Sequence, residues 1–367
     1  MVTDVRRVEG GYLLHFDAGR AGRRAMRPAA DPRPPSILRP PNFDHPLVQA
    51  PAPCHSTFLM ELDSAQVAAF VGDRLGGDID AIERIGHGEW STAFSLRKRT
   101  VGGAQDYVVR FGATDDDFLK DRRAMAYASA DLPIPKIVEI GQAFGGFYAI
   151  SERAYGEFIE QVDEAGMRRL LPSLFAMWDA ARRIDLSDSN GYGLWHGDGL
   201  AQHPSWRAAL LAVPPAGDRI LGWRERLDRS PAAARAFEAG YAQLRELIDA
   251  CPDERSLVHS DLLYYNVLVD RDRITAVLDW GSSMYGDFLW DLAWLTFWQP
   301  WYPAWSTVDL GQAALHHYAE IGLALPNFEE RMGCYQLAIG LDGLAYQAFA
   351  GHSANLEWTT RRVLALV

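Results

Sequence analysis

Lysine is nearly absent from this chain: only positions 98, 120 and 136 carry one among 367 residues, so cationic roles fall almost wholly to arginine. Cysteine is as scarce. Cys54, Cys251 and Cys334 are far apart, odd in number and without CxxC spacing, which excludes a disulfide framework or structural zinc site and fits a reducing cytoplasm. Long apolar runs are missing too, since each is short or broken by charge, so no transmembrane helix is expected. The N-terminus "MVTDVRRVEGGYLLHFDAGR" lacks the continuous apolar core of a secretory signal. Positive charge is short overall, with a net charge of −12. The first 59 residues hold eight arginines against five acids, a balance of +3, which leaves −15 on the remainder. Such a body repels nucleic acid and attracts a cationic ligand, although the same charge also serves plain solubility.

What is present is ordinary for a globular protein: 48% hydrophobic and 23% charged residues, enough chain for two domains or one two-lobed unit. Residues 28–53 contain nine of the twenty prolines, which remove backbone donors and fix φ. Residues 1–59 are therefore read as an irregular Pro/Arg-rich extension. Met60 is a candidate natural start, with the upstream residues a mispredicted or appended leader; native protein beginning upstream by mass spectrometry would exclude this. "ELDSAQVAAFVGDRL" follows as an amphipathic helix with Asp63 or Ser64 as N-cap. Strand-like segments "AIERIG", "STAFSLRK" and "DYVVRFG" come next, then the helix "DDDFLKDRRAMAYASA", which stops before "LPIP". Strands "IVEIGQ" and "GFYAISE" close this part, and long helical periodicity sets in from residue 160. Two short β-like runs, "NVLVD" and "ITAVLDW", interrupt the helices around a "RDR" turn. The expectation is an α+β bilobal layout. A small β-rich lobe covers residues 60–150, a hinge 151–156, and a larger helical lobe 157–367.

The chemistry gathers in "VHSDLLYYNVLVDRDRITAVLDWG": His259, Asp261 two residues on, Asn266 five further, then Asp279 after the second run. Polar groups in so apolar a stretch need partners or a metal. Phosphoryl transfer requires a carboxylate that orients or deprotonates the attacking hydroxyl, which suits Asp261. It also requires oxygen ligands for Mg²⁺, which suit Asn266 and Asp279. His259 reads as a brace for the loop. Tyr264 and Tyr265 read as packing groups. "HGDGLAQHP" imitates half of the motif, but His203 stands five residues after Asp198, so it is read as a loop.

This block, together with "DRRAMAYASADLPIPKIVEIG" and "IGLDGLAYQ", resembles the aminoglycoside phosphotransferase family, nearest its hygromycin B branch, from about Met60 to the C-terminus. The resemblance implies a protein-kinase-like fold, ATP with Mg²⁺, and phosphorylation of a hydroxyl on an antibiotic. It makes Asp261 the base and Asn266 and Asp279 metal ligands, with Gly286, Asp287 and Asp291 matching the "GD…D" that follows and Asp291 supporting the loop. It also places the adenine-binding backbone at Ser151, Glu152, Arg153 and Ala154. Gly86 and Gly88, with Ser91 at a third glycine position, would cover the phosphates.

Three departures stand out. Ser260 replaces a glycine, Tyr264 and Tyr265 fill positions that are often smaller and could narrow the acceptor pocket, and Arg110 stands where the fold places a lysine. Asp121 falls where the paired glutamate is expected, and Lys120 is the fallback phosphate contact. For a polycationic, hydroxyl-rich acceptor the helical lobe offers Asp287, Asp342, Trp298 and Trp301, although the tryptophans are read mainly as core. The expected activity is O-phosphorylation of an aminoglycoside by a monomer in the cytoplasm, conferring resistance, with GTP left open beside ATP and with neither nucleic acid nor membrane as a partner. The alternatives are a kinase of another small alcohol (macrolide, choline or sugar metabolite) and a non-catalytic nucleotide-binding module.

Overall fold

A computed structural model describes residues 2–8, 11–16, 62–76, 78–87, 90–100, 103–215, 217 and 219–367. The chain divides into two units, Met1–Pro51 and Ala52–Val367. In the first, β1 (Val2–Val8) pairs antiparallel with β2 (Gly11–Phe16), Val8 opposite Gly11. An irregular chain was expected there. The valines of β1 and the aromatic and branched residues of β2 favour extended backbone, and the prolines begin only beyond them.

In the second unit Asp63 caps α1 (Ser64–Leu75) through a capping box with Gln66, whose amide donates to Asp63 Oδ1 at 2.8 Å. Beneath α1 lies an antiparallel sheet of order β3-β4-β5-β7-β6: β3 (Ile79–His87), β4 (Ser91–Thr100), β5 (Gly103–Gly112), β6 (Ile137–Ala143) and β7 (Gly146–Glu152). Strand periodicity sorts β5: Tyr107, Val109 and Phe111 enter the core shared with Val67 and Val71, so Arg110 points to the other face. Helix α2 (Asp116–Met125) crosses between β5 and β6. It ends earlier than the sequence pattern suggested, in a turn where Ser129 Oγ accepts the amide of Leu132 at 3.1 Å.

After β7 the chain enters the helical part through β8 (Glu157–Phe158) and α3 (Glu164–Arg182). An insertion follows: β9 (Tyr192–Trp195), β10 (Ala201–His203), α4 (Trp206–Leu211), α5 (Trp223–Leu227) and α6 (Pro231–Leu247). Strands β11 (Ser256–Val258), β12 (Val267–Asp270), β13 (Arg273–Val277) and β14 (Met284–Gly286) form two small sheets, β13-β12-β8 and β10-β9-β14-β11. Helices α7 (Leu289–Trp298), α8 (Leu310–Glu320), α9 (Phe328–Ala350) and α10 (Ser353–Leu364) complete it. Helix α9 is buried on nearly every side and runs through the main core. No helix among the described residues is long and apolar enough to cross a membrane.

One charge pair is sealed inside this core. Asp287 is wholly buried and takes both arms of Arg331 from α9, at 2.8 and 2.9 Å, with the Tyr335 hydroxyl on the same carboxylate. Leu289 donates its amide to Asp287 Oδ1 at 3.0 Å. The expectation that Asp287 meets substrate is therefore corrected: its oxygens are saturated and sit away from any cleft. Trp298 and Trp301 are corrected in the same way. Both are buried, and Trp298 stacks on Trp358 with ring centres 5.6 Å apart, so neither keeps a free face for a sugar. Replacing Arg331 by Met should strand the Asp287 charge and cost about 3–5 kcal/mol, as expected when one partner of a buried pair is removed. Urea denaturation measures this; a loss below about 1 kcal/mol, the range of an exposed pair, would contradict it.

Candidate active site

The loop between β11 and β12 is held from behind by Asp291 on α7. Its buried carboxylate accepts the amides of His259 (3.0 Å) and Ser260 (2.8 Å). Burial raises Asp291 to about 6, against the pull of those two amides. Trp290 adds an indole N–H to Ser260 Oγ at 2.9 Å. His259 is buried and pushed down to about 4 by desolvation, hence neutral. Nδ1 accepts the Asp261 amide at 3.2 Å, so Nε2 carries the proton and donates to Leu278 O at 2.8 Å. The ring thus ties the loop to the end of β13 and takes no part at the cleft.

Asp261 and Asn266 meet directly: Asn266 Nδ2 donates to the backbone oxygen of Asp261 at 2.9 Å and to its Oδ2 at 3.2 Å. That leaves Asn266 Oδ1 as an acceptor for a further partner. The β12–β13 hairpin returns the chain, and the Leu278 amide bonds to Asn266 O at 2.8 Å, which sets Asp279 beside the pair. Asp261 Oδ1 is buried with no hydrogen-bond partner among the described residues. Burial raises Asp261 well above the usual carboxylate range, and the charges of Asp279 and Glu160 add to it. Asp279 is half-exposed, and its carboxylate lies 4.0 Å from Arg110 Nη1. Four of the seven non-glycine residues with positive φ among those described lie here: Ser260, Tyr264, Tyr265 and Asp279. Each costs on the order of 1 kcal/mol, and such strain concentrates at working sites.

Arg110 and Asp121 are brought together. Arg110 Nη2 donates to Asp121 Oδ2, and Asp121 Oδ1 accepts the Trp280 amide at 2.8 Å. Lys120 is spent elsewhere, which corrects its fallback role as a phosphate contact. It is buried, lies over the Trp195 ring, and donates to Gly281 O (2.6 Å) and Ser283 O (3.1 Å), while desolvation lowers it to about 7. Gly86, next to the last residue of β3, lies opposite Ala93, Ser91 opens β4, and Gly88 lies outside the described residues. At the connection, the amides of Glu152 and Arg153 donate to Lys136 O and Asp106 O, and Ser151 is paired within the sheet. The Ala154 amide has no such partner among the described residues. His196 and Asp198 occupy the turn between β9 and β10, with Asp116 accepting the Gly197 amide at 2.8 Å.

Three residues facing the catalytic loop escaped the sequence reading. Glu160, on a turn after β8, accepts the Tyr265 amide at 2.8 Å, and its buried Oε2 meets no side-chain donor among the described residues. Strand β8 pairs with β12, Phe158 opposite Leu268, and only that long-range pairing brings Glu160 here. Tyr302, beyond α7, and Tyr346, on α9, stand near the same groups: Tyr302 feels Glu160 and Asp261, while Tyr264 feels Asp261, Tyr346 and Glu160. Asp342, one turn before Tyr346, is half-buried, has no hydrogen-bond partner among the described residues, and is raised to about 7 by burial. Asp279, Glu160 and Asp342 thus all stand close enough for Asp261, with its unpartnered oxygen, to feel their charges.

The donor set suits Mg²⁺, which takes hard oxygens, few carboxylates and the remainder from water and phosphate. Among the described residues no group of three His, Cys, Asp or Glu forms a protein-only cage for a metal. Asn266 Oδ1 and the Asp279 carboxylate are the oxygens that could hold such an ion.

A model of the phosphotransferase enzyme family matches residues 82–326. Hygromycin-B 4-O-kinase from Escherichia coli is 32% identical over 309 residues, 84% of this chain and 86% of that protein. A thermostable mutant of aminoglycoside phosphotransferase APH(4)-Ia, solved in ternary complex with AMP-PNP and hygromycin B, superposes with a TM-score of 0.70 at 30% identity. That match covers 82% of this chain and 97% of the solved one. Spectinomycin phosphotransferase APH(9)-Ia, in complex with ADP and spectinomycin, shares the fold at a TM-score of 0.57 and 12% identity, over 84% of this chain and 99% of that one. A family match of that extent, joined to a relative covered over most of its length, makes this chain a member of the phosphotransferase enzyme family and a kinase acting on the hydroxyl of a small molecule.

Proposed function

We propose that the chain transfers the γ-phosphoryl group of ATP, with Mg²⁺, to a hydroxyl of a hygromycin-type aminoglycoside, and so confers resistance as a cytoplasmic enzyme. The observation that carries this reading is the contact of Asn266 with the Asp261 carboxylate, with Asp261 Oδ1 unpartnered and Asp279 beside it. Free, buried Cys251 and Cys334 fit a reducing compartment. Bound between Asn266 and Asp279, Mg²⁺ would neutralise charge on the β- and γ-phosphates. Asp261 orients the acceptor hydroxyl and takes its proton as oxygen bonds to the γ-phosphorus. The bond from that phosphorus to the β-bridging oxygen breaks, and ADP leaves. Arg110, held by Asp121 and close to Asp279, faces the phosphate side of the cleft. The Ala154 amide is the donor left for adenine. Glu160 and Asp342 supply negative charge for the ammonium groups of the acceptor.

Three measurements test this. Asp261→Ala should lower Mg²⁺-dependent phosphorylation of hygromycin B by about 10²–10⁴-fold, the usual worth of a positioned acid or base; full activity would sink the assignment. Arg110→Ala should raise the KM for ATP by about tenfold or more, as for a lost charge-assisted hydrogen bond. An unchanged value would make Arg110 a structural partner of Asp121 only. Asp342 is raised from 3.8 to about 7 when folded, so stability falls as pH rises between those values and the loss is complete above about 7. Asp342→Asn should therefore raise Tm more at pH 8 than at pH 5 while raising the KM for hygromycin B; calorimetry showing equal gains at both pH values would contradict it.

A further inference from the structure

Tyr264 holds a costly conformation that none of its side-chain contacts explains. Its φ is +61°, and its neighbour Tyr265 is at +70°, in the region that favours glycine or asparagine. Tyr265 is visibly employed, since its amide bonds to Glu160 and its ring meets Phe158 edge-on at 5.0 Å. The Tyr264 side chain makes no hydrogen bond and no ring contact among the described residues. It is 37% exposed, and desolvation together with the charges of Asp261 and Glu160 pushes its hydroxyl pKa up. Its ring is thus open to solvent beside the Asp261 and Glu160 carboxylates, with no side-chain bond of its own.

We propose that Tyr264 sets the acceptor range of this enzyme, by offering its ring to the apolar C–H face of a saturated sugar or cyclitol ring whose hydroxyl meets Asp261. The inference rests on the phosphotransferase reading above and names the chemistry of the same site. Three features define the acceptor: a flat C–H face for the ring of Tyr264, a hydroxyl at its edge for Asp261, and an ammonium group toward Glu160, whose buried carboxylate has backbone amides but no cationic side chain on it among the described residues. The same ring screens Asp261 Oδ1 from water. That suppresses the wasteful reaction in which water attacks the γ-phosphorus, the bridging bond to ADP breaks, and phosphate and a proton are released.

Tyr264→Gly tests this, because glycine suits the left-handed backbone and the variant is expected to fold; a Tm at or above that of the parent checks the fold. Two readouts are taken: ADP release with ATP and Mg²⁺ but no acceptor, and the kinetics of hygromycin B phosphorylation. Removing the ring should raise acceptor-free ADP release about fivefold or more and the hygromycin B KM about tenfold, with the KM for ATP changed less than about twofold. Tyr264→Phe keeps the ring and should recover most of the acceptor affinity. A chain that phosphorylates hygromycin B but is indifferent to Tyr264→Gly in both readouts overturns this inference alone. Loss in Tyr264→Phe equal to that in Tyr264→Gly also overturns it, since the hydroxyl and not the ring would then matter. A chain whose ATP turnover is untouched by Asp261→Ala overturns both this inference and the activity it rests on.

Discussion

The working loop stands on one buried carboxylate. Asp291 accepts two successive amides, from His259 and Ser260, and so fixes the backbone where it turns left-handed at Ser260 before Asp261. Two amide bonds to a charged acceptor offset what that acceptor loses by leaving water. With the backbone fixed, neutral His259 reaches across to Leu278 O, Asn266 folds back on Asp261, and Leu278 ties the returning strand to Asn266. Take away the Asp291 carboxylate and each later contact loses its frame.

Around this frame the polar groups are poorly satisfied, in contrast to the core. Asp287, equally buried, has a guanidinium, a phenol and an amide on its oxygens. Among the described residues, Asp261 and Glu160 each keep a buried oxygen without a partner, and Asp342 accepts no hydrogen bond. Unpartnered acids raise one another's affinity for protons and weaken the fold that holds them, which is tolerable where a cationic ligand completes the set. The difference separates carboxylates that the fold satisfies from those that it leaves unpartnered.

What could be read from the linear chain was local. Asp261, Asn266 and Asp279 lie within one loop and one hairpin, so their spacing alone predicted that they could share a cavity. Arg110 and Asp121 came from the resemblance, which puts a cation on that strand and an acid on the following helix. Glu160 was invisible because a strand of two residues, pairing across more than a hundred positions, brings it in. Asp287 misled because its partner Arg331 lies 44 residues away, and nothing near Asp287 announces an ion pair. Trp298 was ambiguous for a similar reason: the ring it stacks on, Trp358, belongs to the last helix. The hairpin of β1 and β2 was missed because the proline-rich stretch beyond it dominated the reading of the whole extension.

Lys120 gives helix α2 an unusual allegiance. By chain order α2 belongs with the five-stranded sheet, yet this ammonium is embedded against Trp195 and grips two carbonyls of the loop that follows Asp279. Asp121 takes the Trp280 amide, Asp117 pairs with Arg219 at 2.7 Å, and Asp116 takes the Gly197 amide, all from the opposite lobe. The helix is thus riveted to the larger half of the molecule. Through Asp121 the same helix also carries Arg110, so a cation of the sheet is tied to the loop that follows Asp279.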